Sequence, residues 1–138
     1  MVLTEKQKII LLRICYWYGA ILDALWCIPM LIPELGLAAF GKAGAPVTLE
    51  LRYSLAVGAS LMLGWTVLFI WGDRKPVQRK GLLFLTLIPV KICLDLASLL
   101  LFQTQDVTVL RFCVMKLDGL ILYVLYIFTL LLTRSMKN

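Results

Sequence analysis

The sequence predicts an all-α polytopic membrane protein, a single bundle of four transmembrane helices with both termini in the cytoplasm. Three observations carry this. Hydrophobic residues make up 62% of the 138 residues and charged ones only 16%, more apolar surface than a soluble domain of that length can hide. Four apolar runs follow one another, each of about 20 residues, the length that crosses a ~30 Å hydrocarbon core as a helix. Lys and Arg gather beside alternate ends of those runs, as membrane orientation requires.

The first span covers residues 9–31 and is interrupted by Arg13 and Asp23. It is too long for a signal-peptide core and no small-residue cleavage pattern follows, so it is expected to stay in the mature protein. The stretch 32–52 is an outward loop. Its segment "PELGLAAFGKAGAP" is expected to form a short surface helix, bracketed by Pro33 and Pro46 with Gly41 and Gly44 as stops. The second span, 53–71, carries no charge. Ala56, Ser60 and Gly64 recur there at four-residue spacing, a helix-packing face that lets two backbones approach closely; packing within the bundle is favoured over packing between copies. The third span, 81–101, contains Lys91 and Asp95, with Pro89 placed to kink it and open space beside them. The fourth, 109–132, contains Arg111, Lys116 and Asp118. None of the runs alternates as a strand would. Buried backbone groups in lipid must be bonded within their own segment, which leaves helices.

Orientation follows from the basic residues. Lys6, Lys8, Arg13, Arg74, Lys75, Arg79, Lys80, Arg134 and Lys137 fall on one side, against Lys42, Arg52 and Arg111 on the other. Nine against three puts the termini and the loop "GDRKPVQRKG" in the cytoplasm. Arg74, Lys75, Arg79 and Lys80 fix topology, and their place beside the membrane also suits anionic lipid headgroups. Such a chain belongs in a plasma membrane, the inner membrane if prokaryotic. The formal charge of +6 is accounted for in this way, and no nucleic acid is expected as a partner.

The intramembrane charges are the candidate site. At a rise of about 1.5 Å per residue, Asp23, Lys91, Asp95, Lys116 and Asp118 all fall roughly 15–21 Å from the cytoplasmic side. Each would cost at least ~2.5 kcal/mol facing lipid, so they are expected to face the interior, water or another protein. Lys91 and Asp95 share a face, being four apart. Tyr16, Asp23, Trp26 and Cys27 share one on the first span. Lys116 and Asp118 point nearly opposite ways, Lys116 with Cys113 and Tyr123, Asp118 with Arg111, Met115 and Leu122. One of these stripes would serve the interior and the other a second subunit. Three acids against two lysines leave one acid over, to pair with Arg52 or Arg111 at the rim or to be protonated; Asp23, alone in its helix, is the expected odd one. A purely structural role, salt bridges that set helix register, stands beside the functional one.

Cys15, Cys27, Cys93 and Cys113 lie in apolar runs, form no CxxC and have no histidine beside them. They read as small hydrophobes, with no metal and no cofactor expected. The stretches "YWYGAILDALW" and "GASLMLGWTVLFIWGDRKPVQRKG" are similar to small prokaryotic four-helix membrane proteins with no assigned activity. The resemblance implies a fold and brings no catalytic residues. Small multidrug resistance exporters also have four helices and an acid in the first. They are weakly biased in loop charge, whereas this chain has a fixed orientation and extra intramembrane lysines.

No HExxH, GxSxG, P-loop or acidic metal motif occurs, so an enzyme is the least supported class and no catalytic residue is assigned. An Asp–Lys isomerase would need only a proton donor and an acceptor at the right distance. The leading expectation is a pocket in the outward half that binds or passes a small ligand, ion or proton, through Asp23, Lys91, Asp95, Lys116 and Asp118 with Tyr16 and Trp26. The alternative is a non-catalytic subunit of a larger membrane complex, its charges paired with partner helices. A self-associating structural bundle is the third.

Overall fold

A computed structural model describes residues 4–39, 42–104 and 109–136, with the side chains of all of these except 100–104, 109–115 and 118. The order is α1 (Glu5–Leu31), α2 (Pro33–Ala39), α3 (Leu49–Asp73), α4 (Gly81–Leu85), a π-helical segment (Thr86–Lys91), α5 (Ile92–Thr104) and α6 (Val109–Leu132). No strand occurs among the described residues. Three helical stretches, Glu5–Leu31, Leu49–Asp73 and Gly81–Leu99, are long and apolar enough to cross a membrane.

The helices start earlier than their apolar runs because polar residues cap them. Thr4 and Gln7 form a reciprocal box before α1: Gln7 Oε1 accepts from Thr4 N at 2.9 Å, and Thr4 Oγ1 accepts from Gln7 N at 3.4 Å. Thr48 Oγ1 accepts from Leu51 N at 3.2 Å at the start of α3. The expected surface helix forms as α2, with Pro33 at its first position, where no N–H is needed. Gly44 ends the following turn at φ +81°, a backbone region where a side chain is strained.

Two compact units divide the chain: residues 17–71, and residues 1–16 with 72–138. In the first, α1 and α3 run antiparallel. The Cys27 thiol donates to Ala59 O at 3.6 Å. Gly36 lies so close to α1 that a Cβ there would sit 2.7 Å from Pro29 O, which pins α2 back on the end of α1. The buried side of α3 runs through Ala59 and Phe69. The expected packing face does not coincide with it. Ala56, Ser60 and Gly64 are all exposed, and a Cβ on Gly64 would meet nothing within 4 Å. Both sides of α3 are apolar, so small residues alone did not mark the inner one.

In the second unit a polar seam joins the start of α1 to α6. Tyr126 O–H donates to Cys15 O at 3.0 Å, and the Cys15 thiol donates to Thr129 Oγ1 at 3.1 Å. All three residues are buried. Such bonds hold helices together where lipid supplies no hydrophobic drive between them. Tyr16 O–H reaches Pro76 O at 3.2 Å, and its ring lies on Gly72, where a Cβ would come within 2.7 Å of it. Lys80 closes the end of α6, donating to Thr133 O and Met136 O at 3.2 and 2.9 Å. A cation there also suits the negative end of the helix. Arg13 Nε stands 3.6 Å from Asp73 Oδ1, an ion pair longer than a hydrogen bond. The first turns of α1, the basic loop and the end of α6 therefore meet at one end of this unit.

Candidate functional site

The polar cluster of the second unit begins with a departure from regular helix. Pro89 lacks an N–H and its ring crowds the carbonyl four residues back. The helix answers with the π-helical turn Thr86–Lys91 instead of breaking. Lys91 is the last residue of that turn and Asp95 the fourth after it. The expected opening beside the charges is thus met by a widened turn.

Asp95 is the hub. Its Oδ1 accepts from Lys91 Nζ and from Lys116 Nζ, both at 2.7 Å, and its Oδ2 accepts from Tyr123 O–H at 2.9 Å. Lys116 also donates to Ser98 Oγ, and Ser98 in turn donates to Leu94 O at 2.6 Å. The Lys91 ammonium lies over the Tyr123 ring, 5.3 Å from its centroid, a cation–π geometry. Lys116 and Tyr123 are seven apart on α6 and so share a face, as the expected stripe required. Gly119 lies between them. A Cβ there would be 2.6 Å from Lys91 Nζ and 2.8 Å from its Cε, so the lysine can cross α6 only because residue 119 has no side chain.

The cluster is not sealed. The Lys91, Asp95 and Lys116 side chains are 16%, 28% and 30% exposed. They line an open groove of about 490 Å³ whose other walls are Leu99, Leu117, Gly119, Leu120 and Tyr123. A second, apolar groove of about 400 Å³, shallow and open, follows along α6, lined by Leu120, Ile121, Val124, Leu125 and Phe128. Leu120 belongs to both.

Of the expected site residues, the structure brings Lys91, Asp95 and Lys116 together. Tyr16 is instead engaged at the basic loop. Asp23 and Trp26 belong to the other unit. Asp23 is half-buried on the face that carries Ala20 and Cys27, and among the described residues no hydrogen bond or ion pair reaches it. The side chains of Arg111, Cys113, Met115 and Asp118 lie outside the described residues, and with them the proposed second stripe. Among the described side chains Arg52 reaches no acid of the apolar runs. It pairs with Glu34 at 2.9 Å, joining α2 to the start of α3. The Glu34 backbone N–H, then the Arg52 guanidinium, hold this exposed carboxyl below its ordinary value of 4.5. In the basic loop Arg74 and Lys75 are exposed, Arg79 is half-buried, and Lys80 is committed to α6. Ser98 and Gly119 escaped the sequence reading. Ser98 was legible as a polar residue three after Asp95, whereas nothing in the sequence marks Gly119.

Two ammoniums, a carboxylate and a phenol around the groove, with the Ser98 hydroxyl behind Lys116, can bind a charged group or pass a proton. Among the described residues, no group of three or more His, Cys, Asp or Glu gathers in a way that could hold a metal ion. No protein-family model matches the chain, no curated protein matches it, and no solved structure matches it.

Proposed function

We propose that this chain is a four-span protein of a plasma membrane, with both termini cytoplasmic, that binds or passes a small ligand, ion or proton at Lys91, Asp95, Lys116 and Tyr123. The observation that carries the reading is the open cluster. An ion pair that only holds two helices gains most when it is closed off with every donor used. Here Lys91 spends one donor on Asp95 and lies beside a groove of about 490 Å³. The apolar helix α6 supplies the fourth span. The meeting of the first turns of α1, the basic loop and the end of α6 supports a common cytoplasmic side. From Gly81 at that end, Lys91 and Asp95 lie roughly 15 and 21 Å along the helix, in the outward half. Arg74 and Lys75 are then placed for lipid headgroups.

The test is flux and binding in folded variants. Wild type, Lys91→Met and Asp95→Asn are reconstituted in vesicles loaded with a pH-sensitive dye, and their helicity and dispersity are checked first. A change in proton or ion movement in a folded variant supports the reading. If neutralising substitutions only unfold the protein and no folded variant differs, the cluster is structural and the reading falls.

A subunit role is favoured by a separate observation, the exposed small-residue face Ala56, Ser60 and Gly64, which suits another helix, from a partner or a second copy. Gentle extraction from the native membrane decides it, by whether the chain leaves alone.

A further inference from the structure

We propose that the ligand is an anionic phospholipid of the surrounding bilayer, its head at Lys91 and one acyl chain laid along α6. This rests on the reading of the cluster as a binding site. The two grooves make a head-and-tail shape. One is ringed by Lys91, Asp95, Lys116 and Tyr123; the next is wholly apolar, with Ile121, Val124, Leu125 and Phe128 as its walls. Leu120 joins them. From Lys116 to Phe128 the helix rises roughly 18 Å, room for an extended chain. On the proposed orientation the polar end is the outer one but lies roughly 9–15 Å below the outer edge of a ~30 Å core, so the head of an outer-leaflet lipid is drawn inward to the ammonium.

Charge complementarity sets the sign of the head. An ammonium has three donors, and among the described residues Lys91 has one acceptor, Asp95 Oδ1, and the Tyr123 ring. Lys91 and Lys116 share that oxygen at 2.7 Å each, which holds two cations close together. A phosphate oxygen beside Lys91 fills a vacant donor and lowers that repulsion. A zwitterionic head offers the same phosphate oxygen but brings a cation of its own, so it leaves the cluster's excess positive charge in place. Gly119 leaves the Lys91 ammonium its place against α6, which any side chain there would take.

The test uses the purified chain in a mild neutral detergent, with phosphatidylglycerol or phosphatidylcholine added. Bound lipid is counted by native mass spectrometry and Tm is followed in parallel. Wild type is expected to retain one phosphatidylglycerol in preference to phosphatidylcholine. Lys91→Met should weaken that retention about tenfold or more, the loss of one charge-assisted hydrogen bond. Val124→Trp, far from the charges, should fill the chain groove and weaken retention of the same lipid even if Lys91→Met fails to fold. Lys42→Met in the outward loop should leave it unchanged, and Lys75→Met separately reads any headgroup held at the basic loop. Equal retention of both lipids by wild type overturns the proposal. So does a preference that survives Lys91→Met and Val124→Trp but disappears in Lys75→Met. If wild type is indifferent to lipid while Lys91→Met still alters dye-reported flux, the lipid is refuted and the site stands. Indifference in both assays removes both.

Discussion

Replacing Asp95 by Asn tests the charge logic of the cluster. Asp95 Oδ1 is 2.7 Å from both ammoniums, so the two nitrogens are no farther apart than twice that distance, about 5.4 Å. At an effective dielectric near 20, like charges at that separation repel by about 3 kcal/mol. The amide keeps the shape of the carboxylate and an acceptor oxygen, but not the charge that offsets the repulsion. The expected loss of stability is about 3 kcal/mol, the low end of what breaking a buried pair costs. Lys91→Met removes one cation and leaves Asp95 with Lys116, and should cost only about 1 kcal/mol, as polar contacts between membrane helices do. The double variant Asp95→Asn with Lys91→Met should then be about 2 kcal/mol more stable than Asp95→Asn alone, because the repulsion is gone. Reversible unfolding in mixed micelles of rising SDS content, followed by circular dichroism, measures all four proteins. A double variant no more stable than Asp95→Asn would refute the reasoning, as would a Lys91→Met as damaged as Asp95→Asn.

Gly119→Ala should displace the Lys91 ammonium and cost about 1–3 kcal/mol. In a Lys91→Ala background the same change should be neutral or stabilising, since Ala favours a helix over Gly by about 1 kcal/mol; the same micelle titration reads both. Lys80→Met uncaps α6 and should lower stability by about 1 kcal/mol, with faster amide exchange confined to the last turn of α6 as the signature. The Glu34–Arg52 pair should respond to acid with a definite sign. The folded carboxyl titrates below its ordinary 4.5, so its contribution is present above that pH and fades as pH falls through the lower folded value. Thermal scans from pH 6 to about 3 should therefore show a small loss that Glu34→Gln abolishes.

The helices were legible because lipid leaves so few options. A run of about 20 apolar residues must bond its own backbone, and the structure places helices over all four expected runs. The Lys91–Asp95 and Lys116–Tyr123 faces were legible from helical spacing alone. The inner side of α3 was not legible. In a soluble protein apolar periodicity marks the core, but α3 is apolar all round. Ala56, Ser60 and Gly64 looked like its packing side, and they are exposed while Ala59 and Phe69 are buried. Sharing a face also says nothing of height. Tyr16 and Asp23 lie on one stripe, yet seven residues separate them by roughly 10 Å, and Tyr16 ends at the basic loop. Pro89 announced a disturbance without its form, the π-turn. Gly119 was silent because its requirement comes from a lysine 28 residues away, and only tertiary structure brings the two together.

The two local irregularities of this unit converge on Lys91, and that convergence separates a binding site from a register lock. A lock between α5 and α6 needs one pair, and Asp95 with Lys116 supplies it at 2.7 Å. Adding Lys91 to the same oxygen puts a second cation beside the first. It also requires a glycine inside α6, which costs a helix about 1 kcal/mol relative to Ala, and it uses the last residue of a π-turn, a rare form that often accompanies functional sites. These features exceed what holding the helices together requires. They become intelligible once the cluster has to present an ammonium to something that enters the groove. The register lock predicts that Lys91→Met loses the stability of that one contact, about 1 kcal/mol, with no other consequence. The binding site predicts that the same protein, still folded, loses its ligand.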